Sequence, residues 1–257
     1  MIRVEGLTKR FGGQLAVDDL SFEIPAGQIA GLLGPNGAGK TTTVRMLSGQ
    51  LRPTAGRAEV LGLDVAADPL AVKRVIGVVP ESGAVFETLT GWEYLAFVAA
   101  LHRLPEAEAA ARILRFGAFF ELDEPTLREK PLAAYSKGMR QKVVIAAALL
   151  HNPKVIFFDE PLSGLDANAA LSFKTLVTSL AREGRTIVYC SHILDVVERL
   201  CERVLIVHRG RVVADGPVPV LLARTGEPTL ERAFNRLTAT ENLLARAEEF
   251  ARALGSA

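Results

Sequence analysis

Hydrophobic spacing changes character along the 257-residue chain, and each spacing predicts a different element. Ile2-Arg3-Val4-Glu5 and Leu20-Ser21-Phe22-Glu23-Ile24 alternate apolar and polar side chains, which predicts half-buried strands of a peripheral antiparallel sheet. Between them Thr8 to Gly13 reads as a turn-rich segment carrying one aromatic, Phe11. Unbroken apolar runs predict buried strands: Ile29 to Leu33, Val75 to Glu81 stopped by Pro80, Val155 to Phe158, and Thr186 to Cys190. Val204 to Val207 and Arg211 to Ala214 read as a hairpin turned at Arg209-Gly210. Helical spacing runs from Thr41 to Ser48, closed by Gly49, and again from Ala169 to Glu183 and Leu194 to Cys201.

From Thr90 the strand signals stop. Thr90 to Leu104, Glu106 to Phe120 and a short piece from Thr126 to Leu132 all read as helix, and Ser136 is a candidate N-cap for Val143 to Leu150. An all-helical stretch flanked on both sides by strand-rich sequence predicts an inserted helical lobe. Elsewhere the alternation of strands and helices predicts a parallel sheet wrapped on both faces. Thr229 to Ala253 reads as an amphipathic helix of mixed charge, a packed or dimer-contact tail.

Composition narrows the class without naming a chemistry. Apolar residues at 49% and charged residues at 23% are globular values. A net charge of +1 supplies no electrostatic footprint for nucleic acid, so none is expected as a partner. The apolar runs are too short for a bilayer span, and Met1 to Glu5 has no signal-peptide core. Any membrane work is therefore expected to pass through a partner. Cys190 and Cys201 read as buried free thiols.

Gly34-Pro35-Asn36-Gly37-Ala38-Gly39-Lys40-Thr41-Thr42 carries the chemistry. It fits G-x-x-x-x-G-K-[ST] between a buried strand and a helix, the context that makes such a loop bind phosphate. Backbone N–H groups at the helix start converge on one point, where the helix dipole also favours an anion. The glycines let the backbone approach the oxygens, Lys40 reaches the β and γ phosphates, Thr41 is placed to ligate Mg²⁺, and Thr42 adds a contact to the α phosphate. Asp159 and Glu160 end the run Val155 to Phe158, at the strand edge where parallel sheets hold ligands. The spacing assigns Asp159 to Mg²⁺ and Glu160 to the attacking water as general base. Phe11 either caps a small core or stacks on an adenine ring. The segment Ala134 to Gln141 supplies a second helix start able to receive an anion, though alone it is a well-capped helix.

Taken in order, these segments resemble the nucleotide-binding subunit of ATP-binding-cassette (ABC) transporters from Met1 to about Leu237. The resemblance implies an α/β fold: a P-loop NTPase core with a RecA-like, mostly parallel sheet, an N-terminal antiparallel β subdomain and an inserted α-helical subdomain. Residues 1–237 would form the ATPase domain, with 1–84 and 154–237 as core and β lobe and 85–153 as helical lobe; 238–257 would be a tail. It implies Walker A at Gly34 to Thr41, Walker B at Val155 to Asp159, the catalytic glutamate at Glu160, the D-loop at Ser163 to Asp166, and the switch histidine at His192. His102, His151 and His208 are read as structural. The signature Tyr135-Ser136-Lys137-Gly138-Met139 keeps the serine and second glycine of Leu-Ser-Gly-Gly-Gln, while Lys137 and Met139 replace a glycine and a polar side chain. Glu81 stands at the Q-loop where the family carries glutamine, and its oxygens can reach Mg²⁺ or the water but cannot donate.

These variants and the ending Leu230 to Thr238 look like the drug and antibiotic export branch, whose permease is a separate polypeptide. The resemblance implies ATP and Mg²⁺ as cofactors and a head-to-tail homodimer in which Ser136 and Gly138 face the other copy's nucleotide, with Asp166 beside it. It also implies a position at the cytoplasmic face of the membrane, with a permease docking on the helical lobe near Glu81, Trp92 and Tyr94. Soluble family branches that act on nucleic acid or ribosomes interrupt the cassette with coiled coils or pair two cassettes through a charged linker. Neither feature occurs here.

Overall fold

The computed structural model describes residues 1–238. Its strands are β1 (Ile2–Phe11), β2 (Gln14–Ile24), β3 (Ile29–Leu33), β4 (Ala55–Val60), β5 (Leu63–Asp64), β6 (Ile76–Val79), β7 (Val155–Asp159), β8 (Thr186–Cys190), β9 (Arg203–His208) and β10 (Arg211–Pro217). Its helices are α1 (Lys40–Leu47), α2 (Pro69–Val75), α3 (Gly91–Leu101), α4 (Glu106–Phe119), α5 (Glu124–Glu129), α6 (Lys137–Leu149), α7 (Ala167–Arg182), α8 (Leu194–Leu200), α9 (Val218–Thr225) and α10 (Leu230–Leu237).

The strands form two sheets, ordered β2-β1-β4-β5 and β10-β9-β3-β8-β7-β6. The first is antiparallel throughout. In the second, only β10 runs against its neighbour. Central strands β3, β7 and β8 are buried at every position, as expected for parallel strands covered on both faces. Alternate residues serve opposite cores. Ala30, Leu32, Val155, Phe157 and Val188 pack with α1, α2 and the antiparallel sheet. Ile29, Leu33, Ile156, Phe158, Ile187 and Tyr189 pack with α6, α7, α8, α9 and α10.

A separate apolar cluster holds α3, α4, α5 and α6 together as the helical lobe. Here α6 has a double allegiance. Val143, Ala146, Ala147 and Leu150 face the lobe, while Val144, Ile145, Ala148 and Leu149 face the large sheet. The lobe is thus joined to the sheet along a whole helix. At the other end of that junction, the His151 ring stacks on His102 with centroids 3.6 Å apart, and its Nε2 lies 2.8 Å from the Ile76 carbonyl oxygen on β6. Burial first, then the His102 neighbour, lower the His151 imidazole to about 4.

Several sequence expectations need correction. Thr8 to Phe11 is strand, and the turn is confined to Gly12-Gly13, because β1 is paired on both sides as far as Thr8 and with β2 to Phe11. Val75 ends α2 instead of starting β6. Helices α2 and α9 gave too short an apolar pattern to be seen, although α2 has an Asp68 cap and a proline at its start. The described part of the C-terminal helix runs only from Leu230 to Leu237, and the remainder of the expected helix to Ala253 lies outside the described residues. Both cysteines are buried free thiols.

Candidate nucleotide site

The loop between β3 and α1 is shaped by its glycines. Gly39 takes φ 105° at the start of α1, and a side chain there would meet the Ala16 carbonyl oxygen at 2.6 Å. A Cβ on Gly34 would lie 2.3 Å from the Val207 carbonyl oxygen. No L side chain fits either position without moving backbone. The loop is also pinned from outside: Gly210 donates its N–H to the Ala38 carbonyl oxygen (3.1 Å) and accepts from the Asp18 N–H (2.9 Å). Lys40 curls back, its Nζ 2.6 Å from the Gly34 oxygen and 3.3 Å from that of Pro35. Pro35 also accepts from the Ala38 N–H at 3.1 Å.

Around this loop opens a cavity of about 490 Å³ lined by Asn36, Gly37, Gly39, Lys40, Thr41 and Thr42, with Phe11, Glu81, Asp159 and Glu160 opposite. Phe11 is 49% exposed at the end of β1, which overturns the core-capping option for it. Gln14, Leu15 and Ala16 complete the wall. The sequence pattern does not single them out, because Thr8 to Gly13 reads as turn-rich and hides the β1–β2 hairpin.

The end of β7 brings the carboxylates in. Thr41 Oγ1 donates to Asp159 Oδ2 at 3.0 Å. Asp159 is buried, and burial raises its pKa, with Glu81 and Glu160 adding to the rise while the Thr41 hydrogen bond and Lys40 oppose it. A buried oxygen donor pair of this kind, crowded by further carboxylates, suits a hard divalent cation. Among the described residues no group of three or more His, Cys, Asp or Glu side chains is arranged to hold a metal. A cation held by Thr41 and Asp159 would therefore complete its shell from phosphate oxygens and water, as Mg²⁺ commonly does.

Glu160 occupies the left-handed region at φ 51°, and its N–H donates to the Cys190 carbonyl oxygen at 2.9 Å. Its carboxylate is held from β8: Oε1 accepts from the His192 N–H at 2.8 Å and lies 2.9 Å from His192 Nδ1, while Oε2 accepts from the Ser191 hydroxyl at 3.2 Å. The histidine ring itself is largely exposed. Ser191 is a partner that spacing alone did not single out.

The remaining site candidates lie elsewhere. Ser136 caps α6, accepting from the Met139 N–H at 3.2 Å, and Gly138 sits where a Cβ would meet the Gly164 carbonyl oxygen at 2.5 Å. Asp166 caps α7 by accepting from the Ala169 N–H at 2.9 Å, which lowers its pKa. None of these three lines the loop's cavity. Gln141, buried within α6, donates to the Pro161 oxygen at 3.0 Å and so ties this segment to the end of β7. Its only sequence signal was a polar residue just before an apolar helical run. Between lobe and core lies another cavity, about 370 Å³, lined by Tyr94, Val98, Pro80 and Ala84 among others. Trp92 does not line it; the Arg128 guanidinium lies over its ring, 3.4 Å from the centroid.

Comparison with known proteins agrees with this geometry. Residues 17–163 match the family model described as ABC transporter. The daunorubicin/doxorubicin resistance ATP-binding protein DrrA of Streptomyces peucetius is 38% identical over 229 residues, covering 89% of this chain and 69% of its own. ATP-binding cassette sub-family A member 7 of Rattus norvegicus is 40% identical over 222 residues, 86% of this chain, but the chain spans only 10% of that protein's length. A solved structure of the ATP-binding subunit of an ABC transporter superposes with TM-score 0.87 at 32% identity, covering 93% of this chain and 99% of its own. The dimeric structure of MJ0796, a bacterial ABC transporter cassette, superposes with TM-score 0.77 at 25% identity, covering 84% of this chain and 98% of its own.

Proposed function

The chain belongs to the ABC transporter family and carries its ATPase domain, and from that premise we propose that two copies of it clasp and cleave ATP to power export through a separate membrane permease. The observation that carries the reading is the grip on Glu160: His192 and Ser191 hold a carboxylate beside the Asp159–Thr41 pair at the rim of the phosphate loop. A base fixed in this way, with a phosphate on the loop, is suited to activating water.

In this reading Lys40 swings from the Gly34 and Pro35 oxygens to the β and γ phosphates, and Phe11 stacks on the adenine. The backbone of residues 34–42 cradles the phosphate chain. Thr41 and Asp159, aided by Glu81, would hold Mg²⁺, which would supply positive charge against the phosphates. Glu160 takes a proton from the water as its oxygen attacks the γ phosphorus, the bond to the bridging oxygen breaks, and ADP leaves with that electron pair. His192 keeps the Glu160 carboxylate aimed.

The second half of the site is expected from another copy. Ser136 and Gly138 lie outside the cavity that holds Lys40, which supports a head-to-tail homodimer in which each copy presents its α6 start, with Asp166 nearby, to the other's γ phosphate. MJ0796, a relative in fold and family, is described as dimeric. Motion of the closing dimer would reach the permease through the cavity beside Tyr94, placing the chain at the cytoplasmic face of the membrane. Antibiotic or drug-like cargo is favoured by the likeness to a daunorubicin/doxorubicin resistance protein. No nucleic acid is expected to take part.

Glu160→Gln tests the reading. The variant should bind ATP, lose roughly 10²–10⁴-fold in turnover, and run as an ATP-dependent dimer in size-exclusion chromatography. Near-normal turnover, or a monomer at saturating ATP, would overturn it.

A further inference from the structure

A concentration of uncompensated charge lies away from the phosphate loop. Helix α2 carries Leu70, Lys73 and Arg74 at i, i+3 and i+4, on one face, while Val72 is buried against the core. The end of α3 brings up Leu101, and Arg103 turns the chain in the left-handed region at φ 58°. With His102, Leu104 and His151 these residues enclose a cleft of about 660 Å³ that no carboxylate lines. The side chains of Lys73, Arg74 and Arg103 make no hydrogen bond or ion pair among the described residues. Leu70 and Leu101 stand beside them 66% and 65% exposed.

We propose that this cleft is a docking surface for an anionic lipid headgroup layer, with Lys73, Arg74 and Arg103 on the phosphates and Leu70 and Leu101 dipping into the acyl boundary. Projecting leucines interleaved with free cations are what an in-plane membrane contact requires. The stacked His102–His151 pair lines the same cleft. Lys73, His102 and His151 also line the cavity beside Tyr94 assigned to the permease; the test uses the chain without a permease or a second copy, so its outcome is separate from that of the transport reading.

The test is co-sedimentation of the full, nucleotide-free chain with vesicles of phosphatidylcholine alone or mixed with phosphatidylglycerol. Binding should be about tenfold or more tighter on the mixed vesicles and should weaken as chloride is raised. The variant Lys73→Glu/Arg74→Glu/Arg103→Glu should lose that preference while keeping its melting temperature and basal ATPase. Leu70→Ser/Leu101→Ser should weaken binding at unchanged salt dependence. Equal binding to both vesicles, or a charge-reversed variant that binds as before, would overturn the proposal. So would displacement by inorganic phosphate beyond that caused by chloride of equal ionic strength, which would mark a small-anion pocket. Absence of vesicle binding alongside capture of an acidic protein segment by the same cations would assign the cleft to a protein partner and also overturn it.

Discussion

The two halves of the proposed composite site are built on different principles. The half with Lys40, Thr41, Asp159 and Glu160 hangs from the ends of β3 and β7 and is braced by β8, strands with every residue buried. The half with Ser136 and Gly138 is the exposed beginning of one helix, α6, whose flanks are divided between the sheet and the lobe. The first is fixed by a lattice of strand pairing, so its carboxylates and Thr41 are positioned before any ligand arrives, and Lys40 alone has to turn from the loop oxygens to the ligand. The second is a presenting surface carried by a helix shared between the sheet and the lobe. An arrangement of this kind keeps the reacting groups still and lets the sensing groups move.

The sharpest contrast should come from Asp159→Asn. Turnover is expected to fall roughly two orders of magnitude or more. Stability without ligand should rise by about 1 kcal/mol, because a buried carboxylate with a raised pKa is an internal cost that the amide removes. Paired thermal melts and ATPase assays check it, and a variant that is both slow and less stable would break the claim that the strand-borne half is pre-set at the expense of stability.

Gly138→Ala addresses the other half. A Cβ there meets the Gly164 carbonyl oxygen at 2.5 Å, so turnover should fall about tenfold or more while one copy's nucleotide affinity stays unchanged. Mixing it with Lys40→Ala should restore part of the activity, since a mixed dimer has one site with both halves intact. Mixtures no more active than their components would remove the case for a shared site.

A smaller effect concerns the junction between the halves. His151 is held neutral in the folded chain at a pKa of about 4 against an ordinary 6.5. Above pH 6.5 neither state is protonated there and the contribution is intact. As pH falls from about 6.5 toward 4 the unfolded chain gains the proton first, so stability should drop, by about 1–2 kcal/mol after allowance for solvent screening. Melts of the parent and of His151→Gln across this range should converge on acidification. Smallest of all, Asp166→Ala should cost about 1 kcal/mol through the lost α7 cap, whereas Asp166→Asn should keep stability. If Asp166→Asn alone slows ATP turnover, the side chain does more than cap.

The unevenness of what the sequence disclosed has the same origin as the contrast in construction. The phosphate loop and the end of β7 were legible because their chemistry is local: a glycine at φ 105° beside a lysine, and four bulky residues followed by two acids. Ser136 was legible as a cap for the same reason. What escaped depends on partners far along the chain. The Ser191 grip on Glu160 spans 31 positions. The hairpin wall from Gln14 to Ala16 is a nearer case: past Thr8 β1 continues by pairing with β2 alone, and the glycines of the two-residue turn make that stretch read as loop. Helix α2 is seven residues long with a single buried side chain, too short for periodicity to speak.

The hydrogen bonds through Gly210 have a mechanical corollary. A single residue, Gly210, accepts at its carbonyl oxygen from the Asp18 N–H in β2 and donates its own N–H to the Ala38 carbonyl oxygen in the loop, while Arg211 is ion-paired with Asp18 at 2.6 Å. That rivet makes the antiparallel sheet and the phosphate cradle a single rigid jaw. A nucleotide gripped at both its ring and its triphosphate would then be carried as one load, and any rotation during a working cycle would be displaced to the seam along α6.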